Sequence, residues 1–130
     1  MLDSSVAASW CLADERSELA DRVLHMVEAG GFVVPPLFWY ELRNVLIVNE
    51  RRGRIDAARV ADGLRLVSAL PARIDSAHDE AVLLGLARAH TLSVYDAAYL
   101  ELAKRLGTPL ATQDQSLHRA AKAEAVELVA

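Results

Sequence analysis

Four acidic residues of this chain, Asp3, Glu41, Asp96 and Asp114, stand where side-chain chemistry is most easily built. Asp3 follows Leu2 and precedes Ser4-Ser5-Val6, Asp114 follows the apolar run Leu110-Ala111-Thr112, and Asp96 comes three residues after Ser93 at the start of a helical run. Helix capping explains each of these three taken singly, because Asp is among the best N-cap residues and favours the positive end of a helix. Glu41 is different. It shares with Asn44 the stripe Leu37, Glu41, Asn44, Val48, flanked by Phe38, Leu42 and Val45. Either its head reaches water at the edge of the core, or it points into a polar pocket where a cation offsets its partial burial.

Taken together, the four acids can converge on one crevice. Neighbouring carboxylates repel one another and either rise in pKa or bind a divalent cation. The histidines (His25, His78, His90, His118) are scattered without ligand spacing, and the lone Cys11 excludes a zinc knuckle and an intrachain disulfide. An all-oxygen donor set favours Mg²⁺ or Mn²⁺ over zinc. Mg²⁺ held by carboxylates chiefly clamps a phosphate and orients or deprotonates an attacking water. Gly30-Gly31 has no strand before it and no phosphate-binding motif after it, so phosphodiester hydrolysis is favoured over nucleotide chemistry.

The elements that must position these residues follow from the apolar pattern. Of 130 residues 53% are hydrophobic, enough for a core in one domain spanning 1–130. Short apolar runs bounded by turn residues predict strands at Phe32-Val33-Val34, Ala72-Arg73-Ile74, Leu110-Ala111-Thr112 and Val126-Glu127-Leu128-Val129, with Met1-Leu2 as a fifth. Helical periodicity predicts helices at about 5–12, 16–29, 37–51, 56–70, 77–89, 94–106 and 115–123. Strands that alternate with helices of this length pair in parallel through right-handed crossovers, which makes the fold α/β, a small doubly wound sheet with helices on both faces. In such sheets the ligand site lies at the carboxyl ends of the strands.

The net charge of -4 gives no global sign of nucleic-acid binding, but the charge is uneven. Residues 31–65 carry the arginines 43, 51, 52, 54, 59 and 65 against Glu41, Glu50, Asp56 and Asp62, the one basic patch available. Arg43, Arg51, Arg52 and Arg54 lie on or just after the helix of Glu41. They serve either as a solvated helix end or as contacts to RNA phosphates, with Trp39 or Tyr40 available for base stacking if exposed. Trp10 and Cys11 are expected in the core. No apolar run is long enough to span a bilayer, no secretory signal is expected, and a reducing cytoplasm is consistent with the single cysteine.

The segments Leu2-Asp3-Ser4-Ser5-Val6, Val34-Pro35-Pro36 with Trp39-Tyr40-Glu41 and Asn44, Ser93-Val94-Tyr95-Asp96-Ala97-Ala98-Tyr99-Leu100, and Pro109-Leu110-Ala111-Thr112-Gln113-Asp114 together resemble a PIN domain, and more narrowly a VapC-type ribonuclease toxin of a type II toxin-antitoxin system. The resemblance covers nearly the whole chain in the right order. It implies a three-layer α/β/α fold with a short, mainly parallel five-stranded sheet, and a Mg²⁺- or Mn²⁺-dependent endoribonuclease acting in the cytoplasm. The acidic quartet of that family maps onto Asp3, Glu41, Asp96 and Asp114, which serve as both metal ligands and catalytic residues. Ser5, Asn44 and Thr112 map onto supporting positions. The resemblance further implies an RNA substrate, a cognate antitoxin protein that covers the active site, and a homodimer. Only Met1 and Leu2 precede Asp3, fewer strand residues than the family usually has before its first acid. Two other readings share the α/β class: a catalytically silent PIN-like scaffold whose acids act mainly as caps, and a phosphoacceptor receiver domain. The receiver fits less well, because no Lys closely follows Leu110-Ala111-Thr112.

Overall fold

The computed structural model describes residues 1–12 and 17–129. Asp14, Glu15 and Arg16, and with them the first residue expected for the second helix, lie outside the described residues. Helix α1 spans Ser4–Cys11 and is capped by Asp3, and α2 spans Glu18–Gly30 behind the Ser17 cap, whose hydroxyl accepts from the Ala20 amide. Strand β1, Phe32–Val34, is buried along its length and pairs in parallel with β2, Ala72–Ile74, in the register Phe32 to Ala72 and Val34 to Ile74. Helices α3 (Leu37–Arg51) and α4 (Ala57–Ser68) form the crossover between the two strands. Helices α5 (Glu80–His90), α6 (Val94–Leu106) and α7 (Gln115–Ala123) complete the chain.

The sheet is smaller than the five strands expected. Among the described residues only β1 and β2 form a ladder, while the remaining three runs meet through two isolated parallel bridges, Leu2 to Ala111 and Leu110 to Leu128. Backbone bonds at those bridges run from the Asp3 amide to the Ala111 carbonyl (3.1 Å) and from the Ala111 amide to Met1 (3.0 Å). Runs this short make one bridge before the chain turns away: Asp3 already caps α1, and Asp114 begins α7. The parallel sense is as expected, and it sets the carboxyl ends of the Met1-Leu2 and Leu110-Ala111 segments side by side.

Helix α1 packs against α2, α3 and α4, and α6 packs against α5 and α7. The buried face of α3 is Phe38, Leu42 and Leu46, spaced four apart. Phe38 is enclosed edge-on by Phe32 and Trp39, with centroids at 5.9 and 5.2 Å. Trp10 and Cys11 are in the core as expected, the indole N–H donating to the Ala20 carbonyl at 2.8 Å.

Gly31 makes the sharp exit from α2 into β1. Its φ of 74° with ψ of -177° belongs to a region essentially reserved for glycine, and a Cβ there would lie 2.8 Å from the Pro71 carbonyl oxygen. Gly31→Ala is expected to cost at least about 2 kcal/mol, combining backbone strain with that clash. Urea denaturation checks it.

Candidate active site

Asp3 is the most tightly held of the four acids. One carboxylate oxygen, Oδ1, accepts from the Ser5 hydroxyl at 2.6 Å, the Ser5 amide at 3.1 Å and the Val6 amide at 3.4 Å. The other, Oδ2, accepts from the Thr112 hydroxyl at 2.5 Å. The carboxyl is 4% exposed, and burial pushes its pKa up to about 6 against the opposing pull of those hydrogen bonds. Both supporting hydroxyls are themselves fixed. The Gln113 amide donates to Ser5 Oγ at 2.9 Å, and the Asp114 amide donates to Thr112 Oγ1 at 3.0 Å. Thr112 thus ties the first acid to the last across the bridged segments. Thr112→Val keeps the shape but leaves Asp3 Oδ2 without its donor, so a loss of about 1–3 kcal/mol is expected, together with a further rise of the Asp3 pKa. Denaturant melts and carboxyl NMR titration measure the two effects.

Glu41 projects from the second turn of α3 and is half-buried. Its Oε1 accepts from the Tyr99 hydroxyl at 2.5 Å and from Ser4 Oγ at 3.4 Å. Burial raises its pKa, and the charge of Asp96 raises it further. Asp96, in the first turn of α6 behind the Ser93 cap, is raised by burial and then by the charge of Asp114. Asp114 caps α7, accepting from the Leu117 amide at 2.8 Å. The Tyr99 hydroxyl is held above its ordinary pKa by burial, by its bond to Glu41 and by the charge of Asp3. The four acids are therefore electrostatically linked, Glu41 to Asp96, Asp96 to Asp114, and Asp3 to Glu41 through Tyr99. Capping accounts for part of what Asp3 and Asp114 do, and nothing about Glu41.

The other expected site residues are placed unevenly. Asn44 is exposed on α3, and no hydrogen bond joins it to the acids among the described residues, whereas Asn49 is the buried amide of that helix. Asn49 donates to the Val45 carbonyl and accepts from Arg54 at 3.0 Å. Arg43 is exposed and stands 5.9 Å from the Trp39 ring centroid. Arg51, Arg52 and Arg54 are exposed at the far end of α3, about 15 Å along its axis from Glu41. Tyr40 is 75% exposed, which satisfies the condition for stacking, while Trp39 is half-covered.

Three polar residues were not singled out from the sequence. Tyr99 lies three residues after Asp96, and that spacing puts both on one face of α6, a legible signal. Ser4 and Gln113 carry no such mark. Gln113 also bonds to Ser9 and Ser17, and those partners lie about a hundred residues away.

Among the described residues no three Asp, Glu, His or Cys side chains gather into a ready-made metal cage. A hard cation that keeps several waters needs only one or two carboxylates, so an all-oxygen set with raised pKa values suits Mg²⁺ or Mn²⁺ and does not suit zinc. No helix among the described residues is long and apolar enough to cross a membrane.

Comparison with known proteins places this arrangement in a family. The PIN domain family model matches residues 1–123. Ribonuclease VapC3 of Pyrobaculum aerophilum is 33% identical over 90% of this chain and 90% of its own. The crystal structure of PAE2754 from Pyrobaculum aerophilum matches with a TM-score of 0.72, covering 92% of this chain and 82% of that one at 22% identity, a likeness of fold. With the acids at strand ends and helix starts, and the family model running from the first residue through α7, the chain belongs to the PIN domain family.

Proposed function

We propose that this chain is a divalent-cation-dependent endoribonuclease, the toxin of a toxin-antitoxin pair, and that Asp3, Glu41, Asp96 and Asp114 are its metal-binding and catalytic residues. The observation that carries the proposal is the electrostatic coupling of acids from four separate parts of the chain, two of them raised in pKa by a neighbouring acid as well as by burial. Identity to a protein named as a ribonuclease supports the same reading. It also takes the two bridges as the remaining strands of a five-stranded, three-layer sheet.

In this reading Asp3, locked by Ser5 and Thr112, and Asp96 and Asp114 at helix starts would hold Mg²⁺ or Mn²⁺. The ion would offset the charge of the scissile phosphate and lower the pKa of a bound water. The chain's own residues do the rest. Tyr99 and Ser4 orient the Glu41 carboxylate, and its raised pKa suits it to take a proton near neutral pH. Arg43 and the arginines at the end of α3 attract RNA phosphates. The cognate antitoxin and a second copy of the chain are the expected partners, in the cytoplasm. Cleavage of a fluorophore-quencher RNA in Mg²⁺ or Mn²⁺, and its loss in EDTA, tests the proposal; cleavage that persists in EDTA would contradict it.

The competing reading, a catalytically silent partner-binding scaffold, draws on the capping bonds of Asp3 and Asp114. It leaves the raised Glu41 and Asp96 without a purpose.

A further inference from the structure

A cavity of about 330 Å³ opens beside the acids, lined by residues that include Pro36, Leu37, His78, Leu83, Tyr95 and Ala98. It is contiguous with the acidic centre. Leu37 lies one helical turn before Glu41 on α3, and Tyr95 and Ala98 bracket Asp96 on α6. The volume is at the small end of the range of about 300–1,000 Å³ found for ligand pockets. Its walls are mostly apolar. The Tyr95 ring at its rim is 63% exposed and packs against no other aromatic ring among the described residues.

The pocket is also preformed and shielded from the negative charge beneath it. Glu101 and Asp75 lie in its wall, and Arg105 binds both, Nε to Glu101 at 2.8 Å and Nη2 to Asp75 at 3.4 Å. Arg105 Nη2 also donates to the Ala77 carbonyl at 2.7 Å, and Glu101 accepts from the Asp79 amide at 3.1 Å. This clamp pins the segment between β2 and α5 onto α6, and it neutralises carboxylates that would otherwise repel a polynucleotide.

Resting on the ribonuclease reading, we infer that this cavity receives one unpaired base of the RNA, next to the cleaved phosphodiester and stacked on Tyr95. A flat apolar slot with one free aromatic face suits a nucleobase, and a base can enter only when splayed out of its stack. The substrate is therefore single-stranded RNA or a loop, not a continuous duplex.

The test is an abasic scan. Wild-type enzyme first locates the cleaved bond in a single-stranded oligonucleotide with Mn²⁺, and each flanking nucleotide is then replaced by an abasic one. One position beside the cleaved bond should lose about 10-fold in kcat/KM, the scale of one base-aromatic stack. Tyr95→Ala should lose a similar factor on the intact RNA and nothing more on that abasic RNA, while Tyr95→Phe should retain the wild-type rate. Wild-type cleavage with a flat scan, or Tyr95→Ala at full rate, would overturn the pocket and leave the ribonuclease reading standing. Absence of any wild-type cleavage would overturn both.

Discussion

Asp96→Asn is expected to lower RNA cleavage by at least about 100-fold while raising the melting temperature of the cation-free protein. The two effects have one cause. Outer-sphere partners of metal ligands typically carry about 10–100-fold in affinity or activity, and a carboxylate that meets the ion directly carries at least that much. The same carboxylate is a burden to the empty fold, because burial and the charge of Asp114 both disfavour its ionised form. Asn keeps the size of the side chain and removes the charge, and the Ser93 bond to the residue 96 amide is untouched by the change. A variant that lost both activity and stability would mark Asp96 as structural. Steady-state cleavage and a thermal melt in EDTA separate these outcomes.

The second large effect is on pH. The Asp3 pKa of about 6 means that a proton competes with the cation, so cation affinity and cleavage should fall about tenfold per pH unit below 6. Stability of the cation-free protein should move the other way. The folded state raises the Asp3 pKa from 3.8 to about 6, so the fold prefers the protonated acid. The contribution is fully present below about 3.8 and is lost as pH rises through about 6, a change of about 2–3 kcal/mol. Glu41 and Asp96 shift in the same direction. Urea melts in EDTA between pH 4.5 and 7, set against the same series for Asp3→Asn, isolate the Asp3 contribution. A pH-independent difference between the two proteins would contradict it.

How far the sequence was legible depends on whether the determinant was local. Gly-Gly before and Pro-Pro after left room for only three strand residues, and β1 is those three. The helix bounds of α3 and α6 also follow from local signals, Pro36 at one start and the Ser93 cap at the other. Helix α5 was expected from residue 77 but begins at Glu80, because Arg105 and Glu101 on α6 hold the preceding segment in another conformation. That contact joins residues more than twenty apart, and no local pattern announces it. The same limit applies at the site. The four acids are readable from their places before helix starts and on the α3 stripe. The partners that orient them come from elsewhere in the chain: Thr112 across the bridged segments to Asp3, and Tyr99 from α6 to Glu41 on α3. Asn44 shared Glu41's sequence stripe, yet the helix turns its apolar face along Phe38, Leu42 and Leu46, and Asn49 is the buried amide.

Calorimetric titration of the wild-type protein with Mn²⁺ at pH 7.5, beside the same titration of Asp96→Asn, tests the central claim most directly. The account predicts saturable binding to the wild type that is released by EDTA and weakened at least about 100-fold in the variant. No binding heat in the wild type, or equal binding by both proteins, would mean that the four carboxylates serve the fold alone.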